Sequence, residues 1–299
     1  NQSHTEYMTA VPVGRFAPSP TGPLHYCSML AALASYLNVR SRGGTWLVRM
    51  EDIDPPREMA GAADDIRHTL ERFHLYWDGD VMYQSARSSV YTDILQSITE
   101  KGLAYPCSCT RKELRERGAG TVYDGQCQSG PNPDRTQHSI RVRAADAIIK
   151  FIDLVQGSKS YAIMQHAGDF IIHRADGQFA YQLAVVIDDA AQKITEVVRG
   201  ADLVDSTPHQ IFLQQLLEYS TPVYGHIPVA VNAAGEKLSK QTGARPVSDQ
   251  PVIPVLLKAL DDLGQSPPGL LQTATIDEVL DWSLLNWRID RVPARLVRG

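Results

Sequence analysis

The sequence lacks three features that would assign it to large functional classes. No stretch approaches the roughly 18 uninterrupted apolar residues of a transmembrane helix, so we expect no membrane partner. Positive charge is not in excess, because 29 Lys and Arg face 34 Asp and Glu, and any nucleic-acid contact must come from local patches. The first ten residues have neither a basic start nor an apolar run, so we expect a cytoplasmic protein. We also expect a monomer.

Cysteine is also scarce, with four residues at Cys27, Cys107, Cys109 and Cys127. So few cysteines in a chain of cytoplasmic character do not indicate a disulfide framework. Three of them fall within 21 positions, which favours a structural, tetrahedral Zn²⁺ site whose fourth ligand has to be found. Chemistry alone prefers His138 as that ligand, and three reduced cysteines without a metal are the alternative.

The apolar pattern alternates between strands and helices, which predicts an α/β fold with βαβ units and a parallel sheet. Strands are predicted at residues 11–17, 45–50, 139–142, 152–155, 170–173, 194–199 and 227–231. Helices are predicted at residues 29–41, 58–73, 88–102, from 181 onward, at 207–219, and twice in the tail. The last helix opens with Thr275 and Glu278 in capping-box spacing and is expected to end near Arg291. The second half is expected to complete the same sheet.

Two short strings carry residues suited to phosphate chemistry. The first runs from Arg15 to His25 (RFAPSPTGPLH), where a strand enters a Pro/Gly turn and then a helix, a place at which backbone N–H groups bind phosphate. The second is KLSK, whose Lys237 and Lys240 on a Gly-flanked loop can neutralise a leaving pyrophosphate. Taken alone, the first string would more often be a structural turn and the second a solvated loop.

Together, and in this order, the two strings resemble the HIGH and KMSKS motifs of class I aminoacyl-tRNA synthetases, and RFAPSPTGPLH is similar to the glutamyl branch. The strings RMEDIDPPR at residues 49–57 and VRGADL at residues 198–203 extend the resemblance over residues 11–245. It implies a Rossmann-type parallel-sheet catalytic domain, in halves at residues 8–104 and 139–245. A zinc-binding insertion at 105–138 and a short C-terminal helical region at 246–299 complete the expected organisation.

The residue chemistry agrees with an acidic amino-acid substrate. A γ-carboxylate favours a guanidinium, which Arg15 offers bidentately, while an α-ammonium favours a carboxylate, which Glu51 offers at the end of its strand. The alternative is a structural ion pair between Arg15 and Glu51. The resemblance adds Tyr181 and Arg199 to the pocket. It also places the substrate, L-glutamate, against four residues of the first string: Phe16, Ala17, Pro18 and Ser19.

By the same resemblance, His25 lies over the ATP phosphates, and Ser28, Lys240 and Mg²⁺ assist in binding ATP. Positioning and electrostatics then carry the catalysis, with His25, Lys237 and Lys240 as the catalytic residues. The tetrad His-Tyr-Cys-Ser departs from the family at two positions: Cys27 replaces a Gly that packs against adenine, and Ser28 replaces the second His. Because Gly permits close backbone approach, a thiol at this position can weaken ATP binding. The alternative interpretation is therefore a noncatalytic tRNA- or protein-binding module.

The resemblance also selects the fourth zinc ligand and the acceptor. A Cys-x-Cys, Tyr, Cys arrangement is similar to that of the truncated glutamyl-tRNA synthetase paralogues, which implies Tyr123 beside Cys107, Cys109 and Cys127. Only 59 residues, 241–299, follow Lys240, too few for a long helical anticodon-binding region. The truncated paralogues attach glutamate to queuosine in the anticodon loop of tRNA(Asp), and we expect the same acceptor here. Charging the 3′ end of tRNA(Glu) is the alternative.

Overall fold

A computed structural model describes residues 11–119, 122–229 and 245–295 of the chain. The strands are β1 Val13–Phe16, β2 Thr45–Met50, β3 Met82–Tyr83, β4 Ala104–Cys107, β5 Ser139–Val142, β6 Ile148–Asp153, β7 Gly157–Ala162, β8 Ile171–His173, β9 Glu196–Gly200 and β10 Val223–Ile227. The α-helices are α1 Tyr26–Arg40, α2 Ala62–Arg72, α3 Ser88–Glu100, α4 Arg111–Glu116, α5 Ile163–His166, α6 Tyr181–Ala191, α7 Thr207–Leu216, α8 Val252–Asp262 and α9 Ile276–Asn286.

A five-stranded sheet in the order β10-β9-β1-β2-β3 forms the centre of the fold, and all of its strand pairs are parallel. The chain leaves β1, crosses through α1 and returns as β2, which is the βαβ unit that the alternating pattern predicts. The predicted α/β fold with a parallel sheet is therefore confirmed. Because parallel strands end at one edge, the carboxyl ends of β1 and β9 lie side by side there.

Helix α1 is apolar around most of its circumference, which indicates a helix enclosed on several sides. It packs against β1, β2 and β9 on one side and against α8 and α9 on the other. Leu33 and Leu37 of α1 share one buried cluster with Leu256 and Leu280 of the tail. The C-terminal helices thus complete the core that supports α1.

The second half of the chain only partly joins the central sheet. Strands β9 and β10 do so, as predicted, but β4, β5 and β8 form a separate antiparallel sheet and β6 forms a two-stranded sheet with β7. The expectation that this half completes one sheet was wrong for the three predicted strands β5, β6 and β8. Strand β7 was missed because its sequence, GSKSYA, is mainly small and polar and has no apolar alternation.

Several predicted boundaries were wrong for identifiable reasons. The strand predicted at 227–231 lies earlier, in β10, and ends before Pro228, which has no N–H to donate to a neighbouring strand. The strand predicted at 152–155 is β6, which ends at Asp153 because that carboxylate accepts the N–H groups of the following turn. Helix α9 begins with the predicted capping box but ends at Asn286, and a 3₁₀ turn, Ile289–Arg291, follows.

Within the described ranges, none of the helices combines the length and the apolar character needed to cross a membrane.

Candidate active site

The carboxyl ends of β1 and β9 and the first turn of α1 enclose a cavity of about 610 Å³. Nine of the predicted site residues line it: Arg15, Phe16, Ala17, Pro18, Ser19, His25, Ser28, Tyr181 and Arg199. Cys27 lines it as well, while Glu51 is not among the lining residues. Lys237 and Lys240 lie outside the described residues, so their predicted roles stay predictions.

Arg15, only 3% exposed, is bound by a carboxylate that the sequence analysis missed. Its Nε lies 3.1 Å from Oδ1 of Asp189 and its Nη2 lies 3.4 Å from Oδ2. The alternative of an Arg15–Glu51 ion pair was wrong, because Asp189 of α6 holds the guanidinium instead. Burial acts to raise the pKa of Asp189, but Arg15 and Arg49 outweigh it and keep that pKa below its usual value. The sequence signal for Asp189 was its place beside a second aspartate, Asp188, in the mainly apolar helix α6.

Glu51 lies in the same buried group of charges. The fully buried Arg49 donates to Oδ1 of Asp189 over 2.7 Å, and its Nη2 is 3.8 Å from Oε1 of Glu51. That Oε1 is buried and has no hydrogen-bond partner among the described residues. Burial raises the pKa of Glu51 to about 7, against the opposing pull of Arg49 and Arg15. A buried acceptor without a donor is suited to receive a cationic group from a ligand.

Arg199, 5% exposed, is held differently from the other two buried arginines. Its Nε lies 3.0 Å from Nε2 of His226, its Nη1 lies 3.2 Å from Oη of Tyr181, and its Nη2 lies 2.8 Å from Oγ1 of Thr207. All three partners are uncharged acceptors, and no carboxylate of the described chain forms an ion pair with Arg199. This leaves a buried positive charge facing the cavity. His226 and Thr207 were not predicted, because neither belongs to a recognisable string.

The start of α1 forms the opposite wall of the cavity. His25 is the N-cap residue, and its carbonyl accepts the first helical hydrogen bond from Met29 over 3.0 Å. Cys27 and Ser28 follow in the first turn and line the cavity, at the end of the helix where the helix dipole attracts anions. Tyr26 points the other way and donates a hydrogen bond to Asp262 of α8. The tail thus anchors the segment that the sequence analysis assigned to ATP.

The predicted zinc ligands converge at a second place. The Sγ atoms of Cys107, Cys109 and Cys127 all lie within 4.8 Å of one another. The hydroxyl of Tyr123 lies 3.4 Å from Cys107 and 3.8 Å from Cys109. The predicted alternative, His138, does not share this group within the described residues. Three thiols and a phenol oxygen around one point fit the donor set of a structural tetrahedral zinc site.

Cationic side chains support the cysteine group. Arg141 donates to Cys107 over 3.3 Å and lies over the ring of Tyr123 at 3.8 Å, and Arg117 donates to Cys109 over 3.4 Å. Burial acts to raise the pKa of Cys127, but hydrogen bonds from Tyr123 and other neighbours bring it down to about 7. The contacts thus favour the metal-binding thiolate form at Cys127, whereas burial raises the pKa of Cys109 against the opposing hydrogen bond from Arg117.

Comparison with known proteins agrees with this geometry. The family described as tRNA synthetases class I (E and Q), catalytic domain, matches residues 12–279. The protein named Glutamyl-Q tRNA(Asp) synthetase of Thiobacillus denitrificans is 50% identical over 289 residues, which are 95% of this chain and 96% of that protein. Its namesake from Aromatoleum aromaticum is 49% identical over 95% of this chain and 91% of its own length.

Solved structures support the fold. The glutamate-tRNA synthetase of Elizabethkingia anophelis superposes with a TM-score of 0.81 at 24% identity, over 96% of this chain and 68% of that protein. A glutamate tRNA ligase from Elizabethkingia meningosepticum, in complex with its amino acid, gives a TM-score of 0.80 at 24% identity, over 96% and 67% of the two chains. The chain belongs to the class I tRNA synthetase family (E and Q), a family of ligase enzymes, within which it is a close relative of the glutamyl-Q tRNA(Asp) synthetases.

Proposed function

We propose that the protein activates L-glutamate with ATP, without tRNA, and transfers it to queuosine in the anticodon loop of tRNA(Asp). The observation that carries the activation step is the charge pattern at the cavity, which Arg199 lines and beside which Glu51 lies in the buried group of Arg49 and Asp189. Arg199 supplies a buried cation held by uncharged acceptors, and Glu51 supplies a buried carboxyl without a hydrogen-bond donor. An amino acid with a carboxylate side chain and an α-ammonium complements both groups.

Arg15 acts beside Arg199 in this proposal. Asp189 occupies Nε and Nη2 of Arg15, so that Nη1 is the end of the guanidinium available to a ligand among the described contacts. Bidentate binding by Asp189 fixes the plane of the guanidinium before the substrate arrives. A fixed donor loses less entropy on binding, which favours affinity and selectivity.

ATP enters as its Mg²⁺ complex against the first turn of α1, with His25 and Ser28 near the phosphates. An oxygen of the glutamate α-carboxylate attacks the α-phosphorus, the bond to the β-phosphate breaks, and pyrophosphate leaves. Lys237 and Lys240 neutralise that leaving group, a role that rests on the resemblance of KLSK to KMSKS. A hydroxyl of the queuosine cyclopentenediol then attacks the acyl carbon, loses its proton, and displaces AMP.

The proposal that queuosine of tRNA(Asp) is the acceptor of glutamate rests on the names of the relatives. The two proteins reported above carry the name Glutamyl-Q tRNA(Asp) synthetase, and this chain spans 91% and 96% of their lengths. We assign residues 105–138 to the zinc-binding insertion, with Cys107, Cys109, Tyr123 and Cys127 as the ligands. The zinc, when bound, is structural, because all four donors are supplied by the protein.

Glutamate-dependent exchange of labelled pyrophosphate into ATP, measured without tRNA, tests the activation step. We expect exchange with L-glutamate and little with L-glutamine. Replacing Lys240 by Ala should slow exchange while glutamate binding measured by calorimetry stays unchanged. Failure of the wild-type protein to exchange pyrophosphate while it still binds tRNA would favour the noncatalytic binding module instead.

A further inference from the structure

A chain of buried hydrogen bonds runs from the β6–β7 hairpin to the cavity wall. It begins at Asp153, the last residue of β6, passes through His226 of β10 and reaches Arg199 of β9. The side chains of Asp153 and His226 are fully buried, so neither is accessible to a ligand. Any role they have in binding must act through Arg199.

The contacts fix which nitrogen of His226 carries the proton. The Nε–H of Arg199 can only donate, so Nε2 of His226, 3.0 Å away, has to be the acceptor. The proton of a neutral imidazole then lies on Nδ1, which faces Oδ2 of Asp153. Burial and the nearby Arg199 lower the pKa of His226 despite the opposing pull of Asp153, which agrees with a neutral ring.

Asp153 is itself held in one orientation. Its Oδ1 accepts backbone N–H groups of Val155, Gln156 and His226 over 3.0, 2.8 and 3.0 Å. Three donors on one oxygen leave Oδ2 as the atom that faces the imidazole. The hairpin turn therefore determines the tautomer of His226, and this tautomer presents Nε2 to Arg199 as a hydrogen-bond acceptor.

Arg199 has five N–H groups, and three of them donate to His226, Tyr181 and Thr207 among the described contacts. Two remain, one on each terminal nitrogen. Resting on the proposed function, we propose that Asp153 and His226 are positioning residues, which hold Arg199 with these two N–H groups available to the side-chain carboxylate of glutamate. An uncharged acceptor serves better than a carboxylate in contact with Arg199, because it fixes the guanidinium without neutralising it.

Substitution of Asp153 by Asn tests this relay. The three backbone donors require the amide oxygen, so the amide NH₂ faces Nδ1 of His226 and moves the ring proton to Nε2. Nε2–H then opposes the Nε–H of Arg199. Loss of a hydrogen bond to a charged group typically weakens an interaction by a factor of about ten or more. We therefore expect the Kd for L-glutamate to rise at least about tenfold and the Kd for ATP to stay within about twofold.

A matched pair at His226 separates its two contacts. His226→Gln keeps an acceptor near the Nε2 position, whereas His226→Asn keeps a polar atom near Nδ1 and loses the contact with Arg199. We expect the Asn variant to weaken glutamate binding at least about tenfold and the Gln variant clearly less. Asp169→Asn is the control, since Asp169 is a buried carboxylate that accepts a backbone N–H of Ala144 and does not contact Arg199.

Calorimetric titration with L-glutamate and with ATP, together with ¹⁵N NMR of histidine-labelled protein, gives the readouts. Support requires an Nδ1–H tautomer for His226 in the wild type and selective weakening of glutamate binding in Asp153→Asn and His226→Asn. Equal effects in both His226 variants, unchanged glutamate binding, or an Nε2–H tautomer in the wild type would overturn the relay. Absence of glutamate binding by the wild type would instead reject the proposed function.

Discussion

Arg15 of β1 donates two hydrogen bonds to the carboxylate of Asp189 in α6, although 174 positions separate the two residues in the chain. The same carboxylate accepts a hydrogen bond from the fully buried Arg49. One anion therefore organises two buried cations, of which Arg15 lines the cavity. Since an isolated buried charge is strongly unfavourable, Asp189 stabilises the fold as well as the orientation of Arg15.

Replacing Asp189 by Asn should lower the free energy of unfolding by about 3 to 5 kcal/mol, because it leaves Arg15 without its ion-pair partner and Arg49 with the more distant Glu51. Urea denaturation followed by circular dichroism measures the change. Asp277→Asn is the control: Asp277 pairs with His74 at the surface, and its loss should change stability by less than about 1 kcal/mol. Similar small effects in both variants would contradict the assigned role of Asp189.

Glutamate binding should depend on the ionisation of Glu51. Burial raises the pKa of this carboxyl to about 7, so the ammonium-binding form is a minority at acidic pH and the majority above neutrality. We expect the Kd for L-glutamate to fall as pH rises through about 7, and the dependence to disappear in Glu51→Gln, measured by calorimetry. A persistent pH dependence in the Gln variant would assign it to another group.

The raised pKa of Glu51 also affects the stability of the fold, which should change with pH in the opposite direction to glutamate affinity. A carboxyl whose pKa is higher in the folded protein than in the unfolded chain favours folding while it is protonated. That contribution is complete below the unfolded value and is lost as pH rises through about 7. The stability of the ligand-free wild type relative to Glu51→Gln should therefore decline over this range, in denaturant titrations at several pH values.

Substitution of Cys27 tests whether the nucleotide site of this chain binds ATP. The residue lies in the first turn of α1 and lines the cavity, and it stands where the HIGH motif that this string resembles has Gly. We expect the wild type to bind ATP and Cys27→Gly to bind it up to about tenfold more tightly, because Gly allows closer approach to the backbone. Calorimetric titration with ATP measures the affinity of both proteins. Binding by the Gly variant alone would mean that this chain is not an ATP-dependent enzyme.

The metal site offers a comparison between two candidate ligands. Tyr123→Phe removes the hydroxyl next to Cys107 and Cys109 and should weaken zinc binding at least about tenfold in competition with a chromophoric chelator. His138→Ala should leave zinc affinity unchanged, since His138 does not share the cysteine group among the described residues. The reverse pattern would make His138 the fourth ligand.

Local sequence determined much of what could be predicted. The strand-turn-helix around RFAPSPTGPLH was predictable because the turn and the first helix of a βαβ unit follow each other directly in the chain. The cysteine spacing was informative for the same reason. Asp189, Asp153 and His226 were missed because their roles depend on contacts between distant segments. Nor does a period-two pattern state which sheet a strand joins, so the separate sheet of β4, β5 and β8 was not predicted.

The transfer of labelled glutamate to tRNA tests the central proposal most directly. Bulk tRNA from cells that make queuosine and from cells unable to make it is incubated with the protein, ATP and labelled L-glutamate. We expect label only on the queuosine-containing pool, and no label when ATP is omitted. Equal labelling of both pools would contradict this expectation and indicate ordinary charging of the 3′ end of tRNA(Glu).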